Sequence, residues 1–426
     1  MQLPRLFACA ALVAACGGDP DPRLIAGGGV GDGDIDGTLH VYVIDHDTES
    51  GLSGATVQVG TKMATTDAKG LVTFTGVSGA QTVTVSASGY RGTVWEYVNG
   101  ANVTVPVTTL GTTPDSATLM GTVTGYDTFT VPAGHVKAGF LQYSQSDLLG
   151  DKENNIPTPA NGNICLAGTA CNWTLVTRTG SVTVTAAILD IDPKGTADPS
   201  DDVRTVIGYA YKTGIVVEKN VNQSGLVLDL IEAGNLQNVT IDLGTPPAAL
   251  TQVTPIVGIE VSSDEIIQLG LPTVGATSLL VPNTSVFAGT ATYRLSAIAQ
   301  TTQTNTAQSV VLRQGLTGTS LAAGTWLDPP TGAMASRTTA SCSKVTNAKV
   351  HGAQWSDATG DTILEITSFD PNKTTFDVPS LVALPATGTL SGKVQAIAAD
   401  FDVHNFSLDT DKKKLWGIAA QPVTVQ

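Results

Sequence analysis

The sequence predicts an all-β chain of tandem β-sandwich modules, and three observations predict it. Apolar and polar residues alternate with period two at Leu39-x-Val41-x-Val43, Thr56-Val57-Gln58-Val59, Thr82-Val83-Thr84-Val85 and Asn102-Val103-Thr104-Val105. Such alternation marks half-buried antiparallel strands. Turn signals such as Ser50-Gly51, Asp67-Ala68-Lys69-Gly70 and Ser78-Gly79 separate the runs at the short intervals that sandwiches use. No 3.6-residue apolar repeat is sustained anywhere. The chain has 426 residues, 42% of them hydrophobic, enough for roughly three or four cores of about 100–150 residues each. Only 14% are charged, against about a quarter in an ordinary globular protein. Thr, Ser, Asn and Gln must therefore solvate the outer strand faces. The net charge of −15 repels phosphate backbones and excludes nucleic acid as a natural partner.

The chain begins with Arg5 as its one early side-chain charge, followed by an apolar run over residues 6–15. That run is too short to span a bilayer, which takes about 20 apolar residues, and has the length of a signal-peptide core. It ends Leu12-Val13-Ala14-Ala15-Cys16: an aliphatic residue, two small residues, then cysteine. This string resembles the lipobox of bacterial lipoproteins. The resemblance implies cleavage of residues 1–15 as a signal peptide, diacylation of the Cys16 thiol and acylation of the new amino terminus. Two or more acyl chains anchor a protein stably where one is marginal. The expected location is therefore outside the cytoplasm, held to a lipid bilayer. Gly17, where that family often carries a retaining Asp, leans towards the outer membrane. Residues 16–36 are rich in Gly and Asp and read as a lipidated flexible tether with a reach of about 25 Å.

A first module covers residues 37–112. Its motifs are Gly37-x-Leu39-x-Val41, Gly51-Leu52-Ser53-Gly54-Ala55-x-Val57, Thr65-Thr66-Asp67-x-x-Gly70-x-x-x-Phe74 and Val83-x-Val85-x-Ala87-x-Gly89-Tyr90. They resemble the carboxypeptidase regulatory-like (transthyretin-like) domain. The resemblance implies a small seven-stranded, immunoglobulin-like sandwich of the carbohydrate-binding-like type, serving as scaffold rather than peptidase. Asp67 can bond its own backbone while Gly70 takes a positive φ, which is expected to close a hairpin. Three further sandwiches are expected: residues 113–232 with a long insertion over 144–172, residues 233–317, and residues 318–426. The last resembles a fibronectin type III-like sandwich through Trp355 and the apolar strand Thr362-Ile363-Leu364-Glu365-Ile366.

Five cysteines are present. Cys9 leaves with the leader and Cys16 takes lipid. In an oxidising compartment Cys165 and Cys171 can pair, for about 2.4 kcal/mol of loop-closure entropy. Two reduced surface thiols are the alternative. No histidine or further cysteine lies near the pair to complete a four-ligand zinc site. Cys342 is left over and is expected to be a buried free thiol.

The remaining polar motifs give few candidates. His46-Asp47-Thr48-Glu49 matches a zinc-carboxypeptidase string, but it sits in a polar turn without a third ligand. Asp32-x-Asp34-x-Asp36-Gly37 matches the first half of an EF-hand loop, but Val43 stands where the bidentate Glu belongs. Asp190, Asp192, Asp198, Asp201 and Asp202 form the densest acidic cluster. They are read as a loop between two strands, and calcium is the ion such oxygens would suit. Asp409 and Asp411 are a lesser cluster, with Lys412, Lys413 and Lys414 to neutralise it. Trp95 and Tyr97 alternate on one strand face and could form a stacking platform for sugar rings, the competing expectation being core packing. No catalytic residue is identified and no cofactor is implied. The leading expectation is a non-enzymatic, membrane-anchored envelope lipoprotein acting in adhesion, display or scaffolding. Its partners beyond the bilayer would be a protein or a glycan. A carbohydrate-binding surface lipoprotein and a hydrolase with an unrecognised site are the alternatives.

Overall fold

The computed structural model describes residues 22–111, 115–144, 163–166, 168, 170–196, 202–262, 265–269, 273–287, 290–303 and 306–426. These residues are almost all strand, turn and loop; each of the five helical pieces is a single three-residue 3-10 turn. None is long and apolar enough to cross a membrane. Cys16 and the leader lie outside the described residues.

The first unit has eight strands: β1 (Gly29–Asp34), β2 (Asp36–Asp45), β3 (Thr56–Val59), β4 (Lys62–Thr65), β5 (Leu71–Ser78), β6 (Gln81–Ser86), β7 (Gly92–Val98) and β8 (Gly100–Val107). The order β1-β8-β2-β5 makes one sheet, and β7-β6-β3-β4 belongs to the other. Leu39, Val41, Val43, Val57, Val83, Val85, Val103 and Val105 close the core between them, so period two here does select the buried face.

Two expectations for this region need correction. Residues 22–36 are not a tether: Ile25, Val30 and Ile35 are buried, and β1 pairs antiparallel with β8. Few apolar residues among the glycines suffice because Val30 and Ile35 join a core that the other strands already form. The turn at Asp67 also closes no hairpin, since β4 and β5 lie in different sheets. Its local chemistry is otherwise as read. Asp67 Oδ1 accepts from the amides of Lys69 and Leu71 at 2.8 and 2.9 Å. Gly70 has φ 79°, where a Cβ would stand 2.4 Å from the Val43 carbonyl oxygen.

The second unit contains β9 (Ser116–Val123), β10 (Val136–Ser144), β11 (Ile164–Leu166), β12 (Cys171–Arg178), β13 (Gly180–Asp192), β14 (Val203–Val217) and β15 (Gln223–Leu230). They form one sheet in the order β11-β10-β13-β14-β15-β9-β12. The sheet rolls on itself around Leu119, Tyr126, Trp173, Val184, Ile188 and Leu228. Its two edge strands meet: Cys165 on β11 and Cys171 on β12 are joined by a disulfide with Cα atoms 5.1 Å apart. Gly139 on β10 makes room, since a Cβ there would lie 2.9 Å from both sulfurs.

The third unit contains β16 (Leu236–Asp242), β17 (Gln252–Ser262), β18 (Glu265–Leu269), β19 (Ser278–Pro282), β20 (Thr292–Gln300), β21 (Gln308–Leu316) and β22 (Ser320–Ala322). Sheet β19-β16-β22 packs on β18-β17-β20-β21. Ala138, Ala187, Leu189 and Tyr209 of the rolled sheet enter the same core.

The fourth unit contains β23 (Met334–Ala335), β24 (Thr339–Ser341), β25 (Val350–Ser356), β26 (Thr362–Ser368), β27 (Thr375–Asp377), β28 (Ser391–Ala399), β29 (Phe406–Ser407) and β30 (Leu415–Thr424). Trp355 is fully buried and donates its indole N–H to the Ser336 carbonyl at 2.9 Å. The unit has no separate main sheet. A single twelve-stranded sheet runs β18-β17-β20-β21-β30-β28-β25-β26-β7-β6-β3-β4 and takes in strands of the first, third and fourth units. The modules are tandem in sequence but share sheets in space.

The decisive junction is parallel pairing of β7 with β26, Gly92 opposite Leu364 through Glu96 opposite Ser368. Arg91 reinforces it, donating to the Thr362 carbonyl at 3.0 Å and to Glu365 Oε2 at 3.1 Å. Alternate residues of β7 feed two cores: Trp95 joins the first unit's core, and Val94 joins the fourth unit's.

Candidate functional site

Trp95 and Tyr97 do not form a platform. Trp95 is 7% exposed. Its ring meets Phe369 edge-on at 5.4 Å and Phe406 at 6.3 Å. It is core, as a large aromatic on a central strand should be. Tyr97 is 48% exposed. The two rings part because β7 slips register against β6 between Trp95 and Val98, and Tyr97 adopts φ 63°. A bulge of this kind re-aims one side chain.

The bulge turns Tyr97 towards a polar surface built from both ends of the described chain. His404 lies beside it, ring centroids 6.2 Å apart. In the turn after β7, Asn99 donates to Asp34 Oδ1 at 3.0 Å. On β8, Asn102 donates to Asp32 Oδ2 at 2.5 Å. Arg23 reaches Asp32 Oδ1 at 3.3 Å from the solvent side. Asn405 enters because β29 pairs with β1, Val30 opposite Phe406; its Oδ1 lies 3.5 Å from where a Gly31 Cβ would stand. This surface is the candidate site. Of its members only Asp32, Asp34 and Tyr97 were singled out by sequence reasoning. Asn99, Asn102, His404 and Asn405 carry no local signal, because pairing of residues 29–34 with 406–407 is what assembles them.

The acidic cluster also differs from its reading. Asp190 and Asp192 are strand residues of β13, opposite Thr205 and Arg204's neighbour Val203 on β14. His135 Nδ1 lies 2.7 Å from Asp190 Oδ1, and Lys194 Nζ 2.6 Å from Asp192 Oδ2. The Lys194 side chain and backbone amide hold the Asp192 carboxyl below its ordinary pKa. Asp202 has Arg204 at 3.9 Å. His135, Lys194 and Arg204 thus meet the three described acids, and no group of three or more His, Cys, Asp or Glu side chains that could hold a metal occurs among the described residues. Asp198 and Asp201 lie outside them. Asp411 pairs with Lys414 at 2.8 Å.

The His46 segment is a polar turn whose Asp47, Thr48 and Glu49 are exposed. His46 is buried, and neighbouring Asp47 accepts from Arg178 of β12 at 3.2 Å. This pair locks the first unit to the second. Cys342 is a buried free thiol, its pKa pushed up to about 11 by burial.

No family model matches the chain, and no curated protein matches it. Among solved structures it is similar to one titled "Crystal structure of tetra-tandem repeat in extending region of large adhesion protein". Identity is 12%, covering 91% of this chain and 99% of that one, with a TM-score of 0.12. A score of that size carries no argument. The all-β architecture rests on the strands themselves.

Proposed function

We propose that the chain is a non-enzymatic envelope lipoprotein, anchored in the outer membrane through acyl groups on Cys16, that serves in adhesion, display or scaffolding. The observation that carries this reading is the twelve-stranded sheet. A sheet that continues through three of four units resists being pulled apart at the junctions, which suits a protein that holds something at a distance. The low charge and polar strand faces agree with an exposed, solvated surface. The lipobox-like Leu12-Val13-Ala14-Ala15-Cys16 supplies the anchor. The test has two arms. Labelled palmitate should enter the wild-type chain and be lost in Cys16→Ser, and cells carrying Cys16→Ser should shed the protein and lose adherence. Palmitate labelling retained in Cys16→Ser, or adherence unchanged by shedding, would contradict it.

A second reading is a glycan-binding surface. It is favoured by one observation: Tyr97 is exposed beside His404, with Asp34 and Asn99 close by in sequence and pairing. A flat ring flanked by amide and carboxylate groups can stack on a sugar and bond its hydroxyls. On a glycan array Tyr97→Ala should abolish any signal, whereas an array with no wild-type signal would remove this reading.

A further inference from the structure

We infer that the seam between β1, β8 and the loop before β29 binds a divalent cation, calcium by its chemistry, through Asp32, Asn102 and Asn405. Three observations converge. Asn102 is 93% buried, as its 7% exposure shows, and its Oδ1 has no hydrogen-bond partner. A buried carbonyl oxygen without a donor is costly and calls for a ligand. The same carboxamide head touches the Asp32 carboxylate through Nδ2, so the orphaned oxygen belongs to a head already held against the acid. Half a turn about χ2 would exchange the two head atoms and set Oδ1 beside Asp32 Oδ2, a pair of acceptors that a bound cation bridges.

The third observation is Asn405. Its Oδ1 lies over Gly31, and Gly31 stands opposite Asn102 in the β1–β8 pairing. Asp32 itself has φ 64° and Gly33 φ 76°, which place the carboxylate on a bulge of β1. Hard oxygen donors of mixed type, carboxylate and amide carbonyl, are the set calcium takes, with water completing six to eight ligands. This is not an EF-hand: Val43, at the twelfth position of that motif, is fully buried in the first unit's core. One full carboxylate and neutral amides imply a weak site, with a Kd of about 10⁻⁴–10⁻³ M as in extracellular modules.

Arg23 gives the arrangement a distinctive property. Its guanidinium, 73% exposed, occupies Asp32 Oδ1 at 3.3 Å. It competes with the cation for the same carboxylate, so removing it should tighten binding. A purely structural role for these residues predicts no such gain.

The test uses the full-length chain treated with EDTA and titrated with calcium chloride, followed by calorimetry and thermal melting. Wild type should bind with a Kd near a millimolar and gain about 1–2 °C in Tm at about 5 mM calcium. Asp32→Asn and Asn405→Ala should lose both heat and shift, while Arg23→Ala binds several-fold tighter. Asp192→Asn, in the other acidic cluster, should bind as wild type does. No heat and no shift in wild type would overturn the inference. So would full binding in Asp32→Asn, or binding lost only in Asp192→Asn.

Discussion

The first and second units start from the same alternating sequence pattern and end in opposite solutions to the open sheet edge. The second unit rolls its sheet until the edges meet and staples β11 to β12 through Cys165 and Cys171. Its interior is its own. The first unit leaves β7 unclosed and completes it with β26, some 270 residues later by the Arg91–Glu365 separation of 274. Its core then includes Phe369, Phe401 and Phe406 from the far end of the chain. Edge strands must be closed, covered or paired; here one unit is closed and the other is paired. Closure gives the second unit an interior of its own, although Ala138, Ala187, Leu189 and Tyr209 on its outer side still pack into the third unit's core, whereas pairing merges the cores of two units.

The largest effect expected from this contrast is at Trp95, whose ring joins both sides of the seam. Trp95→Ala should cost about 3–5 kcal/mol and destabilise the first and fourth units together. Hydrogen exchange should then speed in β2, β8 and β26 while β13 is unchanged. If only first-unit strands respond, the two units are not one body. Next comes the staple: the double variant Cys165→Ala, Cys171→Ala should lose about 2.4 kcal/mol, and the loss should be confined to the rolled sheet in urea unfolding followed segment by segment. A smaller effect is expected at the lock between the two solutions. Arg178→Ala should cost about 1–2 kcal/mol, less than a fully buried pair because Asp47 is 38% exposed. Increased protease cleavage between the first and second units would report the loosened contact.

The smallest effect is pH-dependent. Burial holds the Glu96 carboxyl above its ordinary pKa, Lys373 opposing and Asp377 adding to the rise. A raised carboxyl contributes stability that is present below the unfolded pKa and is lost as pH rises through the folded value. Glu96→Gln should therefore be more stable than wild type at neutral pH, the gap closing as the solution is acidified towards the ordinary glutamate range. A gap that widens on acidification would contradict the assignment.

Strand existence and the buried face of most strands were legible in the sequence. Leu39, Val41 and Val43 are fully buried as their spacing requires. What period two cannot supply is a partner. Nothing in Thr93-Val94-Trp95 announces a parallel strand at residues 362–368, although burial of all three in succession is the mark of a central strand with a core on each face. Alternation also assumes unbroken pleating, which the bulge at Tyr97 violates. The candidate site was legible only at Asp32, Asp34 and Tyr97. Asn102 looked like one more polar residue on a strand face, and Asn405 reaches it through the pairing of β1 with β29.

The central claim is that β7 and β26 belong to one cooperative body. Native-state hydrogen exchange, read by mass spectrometry on peptides covering Gly92–Val98 and Thr362–Ser368 across low denaturant, tests it most directly. The two peptides should open with the same free energy and the same denaturant dependence. Opening of Thr362–Ser368 while Gly92–Val98 stays protected, or the reverse, would show two separate units and contradict the account.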